Sequence, residues 1–245
     1  MNKTALTHLA TILVLLVASG SACPTSRTWQ PTPPPPVVFG TDPNIDDITQ
    51  VINANRALIS GLYSTNAKVS GTGFPSLRSK LAIGSARHVR MRASTAVTGQ
   101  EMDLGSNDEL FWVWIKRAQP AALYYGRHDQ YNTSAVGQVL PVRPEWLVEA
   151  IGLVSLDPNV AHTGPLRRKD GMLEIQSPVD SPEGPLIRVL IIDPNSGWIK
   201  EQHLFNSQRQ TIATVMNSRH FRDPQTGAIL PRRTDIRWPA AGMDL

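Results

Sequence analysis

The chain has a single cysteine, Cys23, in 245 residues, which excludes an intrachain disulfide. A domain without one must be held by a hydrophobic core. The length allows that, since one β-rich domain can run to ~200 residues or a little more. Long apolar runs are also missing: the stretch from Leu9 to Ala18 falls far short of the ~20 residues a membrane-spanning helix needs. Neither sign of charge dominates. The 24 basic and 20 acidic residues give +4, and removing Lys3 with the first 22 residues leaves 23 and 20, hence +3. No concentrated basic footprint of a nucleic-acid binder is present.

Catalytic signatures are equally sparse. There is no Gly-x-Ser-x-Gly elbow. His88, His128, His162, His203 and His220 are scattered, with no His-x₃-His pair and no facing carboxylate cluster for zinc. Gly71-Thr72-Gly73 lacks the third glycine and following helix of a phosphate loop, and reads as a turn. His128 and Asp129, as strand neighbours, would point to opposite faces. Asp46-Asp47 and Asp108-Glu109 read as a helix-end charge pair and a strand-edge turn. The chain is therefore expected to be no enzyme, to hold no metal or cofactor, and to bind no nucleic acid.

What is present begins at the first residue. Lys3, an apolar core, and the small residues Ser19, Gly20, Ser21 and Ala22 make a secretory signal peptide over 1–22. Cys23 at the cut resembles a bacterial lipobox, whose thiol is acylated, although Gly20 stands where Leu or Val is usual. The alternative is ordinary cleavage after Ala22. Residues 23–41 form a tether: Pro24 to Thr41 holds six of the twenty prolines, a composition that favours extended polyproline II and a reach of roughly 50 Å.

The folded region is expected over 42–245. Asn44 as N-cap, followed by Ile45, Ile48, Val51, Ile52, Leu58 and Ile59 at helical spacing, predicts a helix near 44–59. Strict alternation predicts strands at His88–Ala93 and Glu109–Lys116, the latter with Leu110, Trp112 and Trp114 facing one way and Phe111, Val113 and Ile115 the other. Ala122–Tyr125 is a further strand. Pro144–Leu153 predicts a second helix, with Pro144 at its first position and Gly152 near its end. Strands follow at Met172–Gln176, Leu186–Asp193, Trp198–Phe205, Thr211–Asn217 and Leu230–Trp238, with Asp193-Pro194-Asn195-Ser196-Gly197 as a hairpin turn. The order of helix, strands, helix, strands implies an α+β fold. A large antiparallel sheet of this size tends to curl, giving an incomplete half-barrel with helices covering its concave face.

Three segments carry a family likeness: Asp103–Trp114, Ile192–Gly197 with its following strand, and Leu230-Pro231-Arg232-Arg233 leading into Ile236-Arg237-Trp238-Pro239. Over roughly residues 45–245 the chain resembles the outer-membrane lipoprotein-sorting (LolA/LolB-like) superfamily. The resemblance implies a half-open barrel with a helical lid over a hydrophobic cavity, and a lid-latching arginine for which Arg56, Arg87, Arg90 and Arg92 are eligible. It also implies a lipid or an acylated protein as partner. The expected function is that of a lipoprotein tied by Cys23 to the periplasmic face of the envelope, at the outer membrane, binding or transferring lipids or lipoproteins. The alternative is a non-transporting envelope sensor or assembly protein on the same scaffold. Candidate cavity-lining residues are Trp112, Trp114, Trp146, Ile151 and Trp238.

Overall fold

The computed structural model describes residues 37–71, 74–84, 87–139, 143–179, 181, 184–239 and 243–244. The expected signal peptide, Cys23 and most of the expected tether lie outside the described residues. Among those described, no helix is long and apolar enough to cross a membrane.

The first helix, α1 (Ile45–Ala57), starts where its cap dictates. The Asn44 side chain accepts from the Asp47 N–H at 2.9 Å, and the Asp47 carboxylate accepts from the Asn44 N–H at 2.9 Å. Two orphan amides of the first turn are thereby satisfied. Asp46 and Asp47 also sit favourably at the positive end of the helix dipole. Ile48 and Ile52 point inward.

An antiparallel meander follows: β1 (Leu62–Gly71), β2 (Phe74–Ile83), β3 (Val89–Thr95), β4 (Gly99–Ser106), β5 (Leu110–Ile115) and β6 (Leu123–Arg127), each paired with the next. A 3₁₀ turn at His128–Thr133 and two short helices, α2 (Ala135–Val139) and α3 (Pro144–Ala150), then interrupt the strands. His128 thus opens a 3₁₀ turn rather than lying in a strand with Asp129.

The second sheet uses β7 (Thr163–Arg167), β8 (Leu173–Val179), β9 (Leu186–Ile192), β10 (Ile199–Phe205), β11 (Thr211–Ser218), β14 (Arg233–Trp238) and β15 (Met243–Asp244), while β12 (Phe221–Arg222) and β13 (Ile229–Leu230) form a small ribbon of their own. The predicted hairpin joins β9 to β10: the Gly197 N–H donates to the Asp193 carbonyl at 2.8 Å, with Gly197 at φ +71°, a conformation that glycine adopts at no steric cost.

The fold is α+β with antiparallel sheets, and it differs from expectation in one respect. Among the described residues the strands form two open sheets, of six and seven strands, and a two-stranded ribbon, instead of one large sheet. The 3₁₀ turn, α2 and α3 come between β6 and β7, and among the described residues no strand pairing joins the two sheets.

Packing places the helices. α1 lays Ile48 and Ile52 on Leu173, Ile175, Leu190 and Ile192 of the second sheet. α3 is apolar on two sides. Val148, with Leu147 and Ile151, meets Ile83, Val89 and Leu104 of the first sheet, while Ala150 meets Leu204, Ala213, Val215 and Ile236 of the second. A fourth cluster, of Phe111, Val113, Tyr131 and Val136, closes the β5–β6 end of the first sheet under α2.

Candidate functional site

The inward face of the first sheet follows from register. Leu81, Met91 and Leu104 lie opposite one another across β2, β3 and β4. Their side chains stop short of filling the space beneath them. A cavity of about 1160 Å³ opens there, walled by these residues, by Leu147 and Ile151 on the α3 side, and by Leu230 and Ile236 from β13 and β14. Its size exceeds the ~300–1,000 Å³ usual for small-ligand sites. The part of the wall under the sheet and α3 is aliphatic and thioether carbon, which suits flexible alkyl chains, while Asn66, Lys68 and serines of β1 with the charged residues of β12–β14 make the rest of the lining polar.

Charged groups gather along the β12–β14 side of the cavity. Arg219, Arg232, Arg233, Asp223 and Asp235 all line it. Arg232 stands over the Phe221 ring at 4.7 Å. Arg233 grips Asp235, with Nη2 to Oδ1 and Nε to Oδ2 each at 2.8 Å. This grip holds the Asp235 carboxyl below the usual carboxylate range and raises the Arg233 guanidinium. The Thr226 hydroxyl donates to Asp223 at 2.6 Å and lowers that carboxyl as well.

α3, the helix beside the cavity, is pinned on both flanks. On the second sheet, buried Arg188 of β9 donates from Nη1 to Glu149 Oε2 at 2.8 Å and from Nη2 to the Ser155 carbonyl at 3.3 Å. Gln202 Nε2 donates to the Glu149 carbonyl at 2.9 Å. On the first sheet, Arg87 Nε donates to Glu145 Oε1 at 2.9 Å, and His128 Nδ1 lies 3.6 Å from the same oxygen. Arg87 is therefore the one residue of the four eligible arginines that reaches α3. Arg56 bonds the Ile59 carbonyl at 2.7 Å, Arg90 pairs with Asp103 at 2.7 Å, and Arg92 is exposed. Arg188, the buried contact, was not among them; its only signal was a lone charge inside the apolar run Leu186–Ile192.

The structure separates the five candidate lining residues. Ile151 lines the cavity. Trp146 and Trp238 pack with their rings tilted, centroids 4.9 Å apart, and join α3 to the second sheet. Trp112 and Trp114 lie on the other face of β5, because Phe111 and Val113 are the residues turned inward and buried. Cys23 lies outside the described residues.

A smaller cavity of about 310 Å³ lies between α1 and β10, where His220 stacks on Trp198 at 4.8 Å. Burial pushes the His220 imidazole below its ordinary pKa. Among the described residues no group of three or more His, Cys, Asp or Glu side chains is placed to hold a metal ion.

No family model matches this sequence and no curated protein does. Likeness appears in three dimensions, as a likeness of fold. The chain is similar to a putative outer membrane lipoprotein-sorting protein domain from Vibrio parahaemolyticus, at TM-score 0.50 and 8% identity over 82% of this chain and 89% of that one. It is similar also to a DUF1329 family protein from Desulfovibrio piger, at TM-score 0.50 and 11% identity, covering 83% and 90%. A LolA superfamily protein from Nitrosomonas europaea aligns at TM-score 0.47 and 8% identity, covering 80% and 88%.

Proposed function

We propose that this chain is an exported, membrane-anchored lipoprotein that binds or hands on lipids, or the acyl chains of lipoproteins, in the cavity beside α3. In this account residues 1–22 direct export and Cys23 carries the lipid anchor. Residues 23–41 space the domain from the membrane, and residues 42–245 form an incomplete barrel whose concave side the helices cover. The protein then works at the periplasmic face of the envelope, held at the outer membrane, and performs no catalysis.

The observation that carries this proposal is the cavity of about 1160 Å³ with its aliphatic wall of Leu81, Met91, Leu104, Leu147 and Ile151. Hiding an alkyl chain there removes it from water at about 0.8 kcal/mol per CH₂. Charged side chains at the β12–β14 side leave a polar head somewhere to stay solvated.

Titration with a dansyl-labelled fatty acid tests the siting. The wild-type chain is expected to give a saturable rise in emission. Ile151→Glu should abolish it, because an ionised carboxylate facing an apolar cavity is costly. Trp112→Ala should leave it intact. A wild-type protein that gives no enhancement would move the balance to an envelope sensor or assembly factor on the same scaffold.

A further inference from the structure

The face of the first sheet turned away from the cavity has its own composition. Across β3 to β6, register aligns Arg90, Gly105, Trp112 and Tyr125 in one row and Arg92, Asp103, Trp114 and Leu123 in the next. Lys80 extends the second row onto β2, and Arg78 lies two residues further along that strand. These side chains reach solvent: Tyr125 is 65% exposed and Leu123 57%, while Trp112 and Trp114 are half-buried. A Cβ at Gly105 would come within 2.1 Å of the Trp112 ring, so the glycine is what lets the indole lie across the sheet. Arg90 stands 5.2 Å from the centre of that ring.

The charge of this face is one-sided. Its two acids are engaged, Asp103 with Arg90 at 2.7 Å, and Glu101 with Lys116 at 3.5 Å and Arg117 at 3.4 Å. Arg78, Lys80 and Arg92 are exposed, with no carboxylate within ion-pair distance among the described residues. Amphipathic indole and phenol rings set among unpaired cations are the side chains that settle at a membrane–water interface, and free basic residues draw a surface toward anionic lipid.

We propose that this outward face of β2–β6 is a contact surface for an anionic phospholipid bilayer. The cavity lies on the other side of the same sheet, so contact would leave its lining untouched. The proposal depends neither on acylation of Cys23 nor on what the cavity holds.

The test is vesicle co-sedimentation of the full chain carrying Cys23→Ser, so that no acyl anchor contributes. Vesicles of phosphatidylcholine alone are compared with equal parts phosphatidylcholine and phosphatidylglycerol. Binding is expected to the mixed vesicles, weakening as salt is raised. In the same background, Arg78→Gln/Lys80→Gln/Arg92→Gln should lower the partition coefficient about a hundredfold. Leu123→Ser/Tyr125→Ser should lower it as well, and circular dichroism checks that both variants keep the sheet. Binding that is equal on the two vesicle types, absent from both, or unmoved by the charge variant would overturn the proposal.

Discussion

Arg188 is the buried charge that ties α3 to the second sheet. Its guanidinium is buried, and the Glu149 carboxylate and the Ser155 carbonyl are its partners. Removing one member of a buried pair leaves the other uncompensated. Glu149→Ala is therefore expected to destabilise the domain by about 3 kcal/mol, the lower end of the range for breaking such a pair, since the Ser155 carbonyl still accepts from Arg188. Arg87→Ala breaks an ion pair whose arginine is half-exposed, and it should cost no more than about 1 kcal/mol. Urea midpoints of the two variants separate these cases. Equal shifts would mean that the Arg188 contact does not pin α3. Combining Arg188→Met with Glu149→Leu should restore most of the loss, because an apolar pair of similar volume needs no desolvated charge.

At the scale of elements, α1 gives the most direct check. Asn44→Ala removes one arm of its capping box and should cost about 1 kcal/mol, read as a fall in melting temperature of about 2–4 °C for a domain of this size. No change would mean that α1 is held by packing alone. This helix was legible in the sequence because its cap, first-turn acids and apolar spacing all agree. The same consistency made α3, β3, β5 and β9–β11 legible. The strands β1, β2 and β4 were harder to read. β1 carries bulges between Ser64 and Ala67 and between Val69 and Gly71 that break its alternation, and β4 is rich in Gly, Gln and Asp. Facing was the harder problem. In β5 both faces are apolar, so alternation separates Trp112 and Trp114 from Phe111 and Val113 without saying which pair turns inward. Tyr131 and Val136, from the turn and helix after β6, cover Phe111. That covering is a tertiary fact with no local signature. Ile151 was legible as part of an amphipathic helix stripe, whereas Arg188 within an apolar strand gave no hint of its partner on α3.

For the whole molecule, α3 is the organising element. It stands against both open sheets, with Val148 toward the first and Ala150 toward the second. The two sheets do not pair with each other, so the space between the first sheet, α3 and β13–β14 is left as a cavity instead of being filled by a continuous barrel core. An alkyl occupant would gain dispersion contacts along the apolar part of that lining, from Leu81, Met91, Leu104, Leu147 and Ile151. The measurement that tests this most directly is native mass spectrometry of the protein isolated gently from an envelope-exporting host, beside its Ile151→Glu variant. The account predicts an added mass on the wild-type protein that leaves on denaturation and fragments as a lipid, and its absence from the variant. A wild-type protein that is folded and carries nothing, or a variant that keeps the same added mass, would contradict it.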